Sequence, residues 1–150
     1  MSEPTIHLRP SKERPVLLGH PWIFSGAIRD LDPALEPGTL VSIHTAAGEF
    51  LGRGYANPRC SIAVRVLTRA DEALDAPFFE RRVAHALALR RAVVSPDTDA
   101  YRLINGDGDF LSGFIADVYG PIIVLQCLTA GAALLKANLV AALQAALAPV

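Results

Sequence analysis

A chain of 150 residues and 16.0 kDa has room for one ordinary domain or two very small ones. With 51% hydrophobic and 19% charged residues and a mean hydropathy of +0.32, intrinsic disorder is excluded. A net charge of −1 and a pI near 6.4 exclude a whole-chain attraction to nucleic acid or acidic membrane, leaving only a local patch for such work.

The first part of the chain predicts short strands punctuated by turns. Ile6–Leu8 and Trp22–Phe24 flank Ser11–Leu18, a short helical turn with Ser11 as N-cap and Pro15 near its start. Thr39–His44 and Phe50–Tyr55, joined by Ala46–Glu49, predict a hairpin, and Ile62–Leu67 a further strand. Gly52 and Gly54 within a strand imply a bulge or a close backbone approach. So many short strands with one small helix predict a compact β-barrel.

A change of character follows. Residues 1–70 carry eight basic and six acidic side chains, whereas residues 71–150 carry six and nine. The sign changes at Thr68–Pro77, which places a domain boundary there, with domains at 1–70 and 71–150. Asp75 caps a predicted amphipathic helix over Pro77–Val94, whose other face holds Arg81, Arg82, His85 and Arg91. Phe114–Asp117 and Ile122–Cys127 predict two strands around Tyr119-Gly-Pro121. A helix over Ala132–Leu147 lines Leu135, Leu139, Leu143 and Leu147 along one seam. The run Ile122–Leu125 predicts a strand buried on both faces. With one hairpin and two helices, residues 71–150 are a marginal core, expected to open a larger domain or to need a partner. The Ala- and Leu-rich segment Ala130–Val150 is interrupted by Lys136, Asn138 and Gln144 and predicts a soluble helix, not a membrane span.

Most catalytic chemistries find no support. Asn105-Gly-Asp-Gly-Asp109 resembles the start of a calcium loop, but its sixth position is Phe110 and its twelfth Ala116, so a tight turn with positive φ is expected instead. No phosphate-cradling or dinucleotide-binding glycine pattern is present. Cys60 and Cys127 are isolated, and neither they nor His7, His20, His44 and His85 have metal-ligand spacing. Cys60, beside Arg59, and Cys127, closing an apolar strand, are both expected to be buried structural thiols, suited to a reducing cytoplasm. No catalytic, metal or cofactor residue is assigned. RNA contact remains: Lys12, Arg14, Arg53, Arg59 and Arg65 lie on the barrel elements, with Trp22, Phe24 and Tyr55 among them. Either guanidinium groups hold phosphates and rings stack on bases, or the rings fill the core and the arginines are ordinary surface charge.

His20-Pro-Trp-Ile-Phe-Ser-Gly-Ala-Ile28, Gly48–Tyr55 and Asn57-Pro-Arg-Cys-Ser-Ile-Ala-Val-Arg65 resemble the N-terminal PUA domain of a methyltransferase family. These are the class I S-adenosylmethionine-dependent enzymes that make 5-methylcytosine in large-subunit ribosomal RNA. Tyr101-Arg-Leu-Ile-Asn-Gly-Asp-Gly-Asp109, Leu111–Gly120 and Val124-Leu-Gln126 are similar to the start of their central α+β domain. Phe110, Ser112 and Val118 depart from the family's usual Gly, Pro and Arg.

The resemblance implies an α+β chain: a PUA-type barrel over 1–70, then a partial domain of helix, β-hairpin and helix. In the family a C-terminal Rossmann-like domain binds S-adenosylmethionine and supplies the catalytic cysteine, so this chain is expected to hold no cofactor and to be inactive alone. PUA domains grip structured RNA with the small helix, an adjacent strand and a nearby loop, which implies Lys12 and Arg14, with His20 and Trp22. The charge pattern adds Arg53, Arg59 and Arg65. The expected partner is ribosomal RNA in the cytoplasm, without membrane or metal. The alternative is a protein-interaction module that dimerises through the seam of the last helix.

Overall fold

The computed structural model describes residues 3–147. The chain divides into two compact units, Met1–Glu72 and Ala73–Val150.

The first unit is a five-stranded mixed sheet in the order β1-β3-β4-β5-β2. Its strands are β1 (Thr5–His7), β2 (Trp22–Phe24), β3 (Thr39–His44), β4 (Phe50–Ala56) and β5 (Ile62–Thr68). β1 runs parallel to β3, and the other pairs are antiparallel. The edges curl toward each other. Leu8, just past β1, bridges Ile28, just past β2, while Arg9 N–H donates to Ala27 C=O and Arg29 N–H to His7 C=O. A core of Ile6, Leu8, Ile23, Val41, Ile43 and Val64 fills the inside, with Val16 of α1 (Arg14–Leu17) packed into it. Buried Val41 and Ile43 alternate with half-buried neighbours along β3, whereas β5 buries Ala63 and Leu67 as well as Val64 and Val66.

The helix begins later than the sequence suggests. Ser11 does not cap it: Ser11 takes a left-handed conformation at φ 65°, and Glu13 occupies the N-cap without a side-chain bond. Pro15 near the start supplies the preset φ that a one-turn helix needs.

Gly52 and Gly54 mark a close backbone approach. A Cβ on Gly54 would collide with the carbonyl of Arg65, and one on Gly52 would lie 2.5 Å from the carbonyl oxygen of Thr68. The β4–β5 register shifts between Arg53 and Gly54. This irregularity is the kind that lets a small sheet bend sharply.

The second unit holds α2 (Ala76–Val93), an antiparallel sheet of β6 (Ala100–Asn105), β7 (Phe114–Tyr119) and β8 (Ile122–Cys127), and α3 (Ala130–Leu147). Asp75 caps α2, accepting from Phe78 N–H at 3.4 Å, and Thr129 Oγ1 accepts from Ala132 N–H at 3.2 Å at the start of α3. Phe78, Phe79 and Phe114 form a chain of edge-to-face rings that joins α2 to the sheet. β6 is an addition to the expected hairpin. Its Tyr101, Leu103 and Ile104 are good strand formers, but a charged residue and a turn motif break their alternation.

β8 differs from expectation as well. It is an edge strand whose residues alternate between half-buried and exposed, with Ile122 61% and Val124 44% exposed. An apolar run alone does not distinguish a doubly covered strand from an apolar edge. By length and composition α3 is apolar enough to cross a membrane. In the fold, Ala132, Leu135, Leu139, Ala142 and Leu143 are buried and the helix packs on α2 and β8. Leu135, Leu139 and Leu143 of the predicted seam are thus occupied within the unit, and the seam is not an exposed dimer surface.

Asn105–Phe110 forms a short 3-10 turn with positive φ at Gly106 and Phe110. Asp109 is held there by a fork: Arg90 Nη1 and Nη2 donate to its two oxygens at 2.9 and 2.6 Å, and Asn105 N–H donates at 2.6 Å. A third donor of Arg90, Nε, reaches Arg102 C=O at 2.9 Å. The carboxylate that gave the motif its calcium-like look is a clamp between α2 and the turn after β6.

Candidate nucleic-acid interface

α1 and the loop to β2 set out most of the residues expected to face RNA. Lys12 and Arg14 are exposed at the start of α1. His20, also exposed, accepts from Trp22 N–H through Nδ1 at 3.1 Å and meets the Trp22 ring edge-on, with centroids 5.8 Å apart. Trp22 stands opposite Arg65 in the β2–β5 register, and the Arg65 guanidinium lies 5.3 Å from the Trp22 ring centroid. A guanidinium over an indole face is a favourable cation–π arrangement. Ile23, not Trp22 or Phe24, fills the core, so both aromatic rings lie outside it.

Arg69 is not among the residues that the sequence singles out. The structure brings it to this loop: a Cβ on Gly19 would lie 2.9 Å from an Arg69 guanidinium nitrogen. Gly19 has φ +95°, so glycine suits both the turn and the close approach. Nothing local in sequence links residues 19 and 69, so sequence reasoning missed Arg69.

The other two arginines stand apart. Arg53 donates to Glu3 through Nη1 at 2.7 Å and to Asp71 through Nη2 at 2.6 Å. The hydrogen bond to Asp71 and the charge of Glu3 outweigh burial and raise the guanidinium's pKa. Arg53 is a tie between the two ends of the first unit. Arg59 sits in the turn between β4 and β5, where its N–H donates to Asn57 Oδ1 at 3.0 Å. Ser25 N–H bonds Ser61 C=O while Val66 N–H bonds Pro21 C=O, so that turn lies at the far end of β2 from His20. Arg53, Arg59 and Arg65 do not form one patch.

Replacing Arg53 by methionine is expected to lower stability by about 1 kcal/mol, the scale of a part-exposed pair. RNA affinity should be unchanged. Urea unfolding alongside an RNA titration checks both.

The expected burial fails for Cys60, which is exposed because it lies in the β4–β5 turn, and Cys127 is only partly covered at the end of β8. Burial pushes the Cys127 thiol pKa up, opposed by the charge of Lys136. In a thiol-reagent time course at neutral pH, Cys60 should react at least about tenfold faster, and the gap should narrow as rising pH ionises Cys127. Equal rates would contradict this burial. Among the described residues, no group of three or more His, Cys, Asp or Glu side chains converges to hold a metal.

A family profile described as a PUA-like domain matches residues 6–69. The first unit is similar to PUA-like domains over those residues. Beyond that domain, similarity continues through most of the chain. Ribosomal RNA large subunit methyltransferase I from Erwinia tasmaniensis is 39% identical over 139 residues, covering 91% of this chain and 35% of that protein. Its counterpart from Klebsiella pneumoniae is 38% identical over 143 residues, covering 94% and 36%. The chain therefore spans about a third of the length of these curated relatives.

Two solved structures share the fold. A candidate SAM-dependent methyltransferase from Streptococcus mutans matches with a TM-score of 0.82 at 22% identity, over 95% of this chain and 37% of that one. A candidate methyltransferase solved with SAH matches at 0.79 and 22% identity, over 97% and 37%. The resemblance to large-subunit ribosomal RNA methyltransferases, read first from the PUA motifs, thus holds along both units.

Proposed function

We propose that the PUA-like domain binds folded ribosomal RNA along the flank formed by α1 and the loop to β2. In this reading the chain is the RNA-holding part of a cytoplasmic S-adenosylmethionine-dependent methyltransferase that makes 5-methylcytosine in large-subunit RNA. Methyl transfer and the methyl donor belong to the complete enzymes the chain resembles. The observation that carries the reading is the convergence of charge at one loop: exposed Lys12, Arg14 and His20 lead into Trp22, and Arg69 comes to the same loop from beyond β5. Long cationic side chains position phosphates, whereas base identity needs contacts to base edges, so this flank is suited to positioning.

The test is a filter-binding titration with a large-subunit ribosomal RNA fragment at several salt concentrations. Binding should weaken as salt rises, because each phosphate contact releases counterions. The paired change Lys12→Ala/Arg14→Ala should reduce affinity about tenfold or more and lower the salt slope by about 2. Unchanged affinity and slope in that variant would remove α1 from the interface.

A further inference from the structure

The side of α1 facing the β3–β4 hairpin carries a groove of about 440 Å³. Its apolar lining includes Pro10, Leu17, Phe50 and Leu51, and two carboxylates, Glu13 and Glu49, also line it. No lysine, arginine or histidine lines it. Leu17 is 62% exposed, a large apolar side chain left in water beside an open cleft. The hairpin turn that forms the opposite wall is braced by its own bonds: Thr45 N–H donates to Glu49 C=O at 2.8 Å, and Glu49 N–H to Thr45 Oγ1 at 3.1 Å.

The two carboxylates are not used by the fold. Among the described residues neither Glu13 nor Glu49 forms an ion pair, and Glu13 makes no capping bond to the helix it precedes. Residues 1–70 nonetheless carry a surplus of basic side chains. A polyanion is repelled by such a groove. A cation with apolar neighbours fits it, because its charge meets the carboxylates while its flanks cover Leu17 and Phe50.

We propose that the groove docks a short extended protein segment in which a lysine or arginine is flanked by bulky apolar side chains. This partner is distinct from RNA, and the proposal does not rest on the RNA reading. Lys12 and Arg14 then offer charge to phosphate, while Glu13 with Glu49 faces a basic, apolar peptide.

The experiment titrates the isotope-labelled chain with three capped pentapeptides centred on leucine–arginine–leucine, leucine–glutamate–leucine and serine–arginine–serine, followed by amide NMR shifts. The first should give saturable shifts confined to residues 10–17 and 45–51. The other two should bind at least about fivefold more weakly, because each lacks half of the match. Glu13→Gln/Glu49→Gln should weaken the first peptide about fivefold, as should Leu17→Asn. These three positions are outside the buried core, and unchanged core amide shifts verify that each variant is folded. Absence of saturable shifts overturns the proposal, as does equal binding of all three peptides or indifference to the double substitution. A large-subunit ribosomal RNA fragment is titrated separately: shifts at residues 45–51 would assign the groove to RNA and overturn it too. If RNA fails to bind anywhere while the first peptide does, the RNA reading alone falls.

Discussion

Asp109→Ala should lower the stability of the second unit by about 3 kcal/mol, the cost of leaving one partner of a buried ion pair uncompensated. The Asp109 side chain is 6% exposed and that of Arg90 12%, so water replaces the two contacts between them poorly. Three bonds to the carboxylate disappear at once: two from the Arg90 fork and one from Asn105 N–H. Arg90 keeps only its Nε bond to Arg102 C=O among these clamp contacts. For a unit of this size the loss corresponds to a fall in Tm of roughly 12–24 °C. Calorimetry on the intact chain measures it. The exposed Arg102–Asp117 pair serves as the contrast, with side chains 46% and 14% exposed. Its removal by Arg102→Ala should leave the melting temperature close to that of the wild type. A loss below 1 kcal/mol for Asp109→Ala would show that the clamp is not what fastens the turn to α2.

Gly54→Ala should be as damaging to the first unit, lowering its stability by about 3 kcal/mol. The added carbon would meet the backbone carbonyl of Arg65, which no side-chain rotation can move away. Relief requires β4 and β5 to separate, which breaks their pairing and disturbs Val64 and Val66 in the core. Gly26→Ala provides the control: a Cβ there has nothing within 4 Å, so the change should stay within about 0.5 kcal/mol. Denaturant unfolding followed by Trp22 fluorescence reports on this unit, since Trp22 is the only tryptophan of the chain. If Gly54→Ala unfolds at the wild-type midpoint, the close approach of the two strands is not required.

Local signals carried far in this chain. The strands β3, β4 and β5 were legible because alternation and flanking turn residues both follow from geometry within a few residues. The Asp75 cap and Pro77 start of α2 were legible for the same reason. Gly52 and Gly54 announced a close approach before any partner strand was known. The PUA motifs pointed to the fold and the family together.

Elsewhere local pattern was insufficient. β6 was hidden because Arg102 interrupts its apolar residues, and Arg102 is accommodated by pairing with Asp117 on the neighbouring strand. β8 read as doubly buried because apolar content does not reveal whether a layer covers each face. The arginines of the first unit looked equivalent in sequence, yet one ties Glu3 to Asp71, one lies over Trp22 and one occupies a distant turn.

From the sequence alone came the two-part α+β organisation, most of the strands and the likeness to ribosomal RNA methyltransferases, since these depend on short-range periodicity and contiguous motifs. Tertiary structure alone decided which charges are free to meet a ligand. An arginine's role depends on the carboxylates and rings within a few ångströms of its guanidinium, and here those partners lie as many as 50 positions away along the chain.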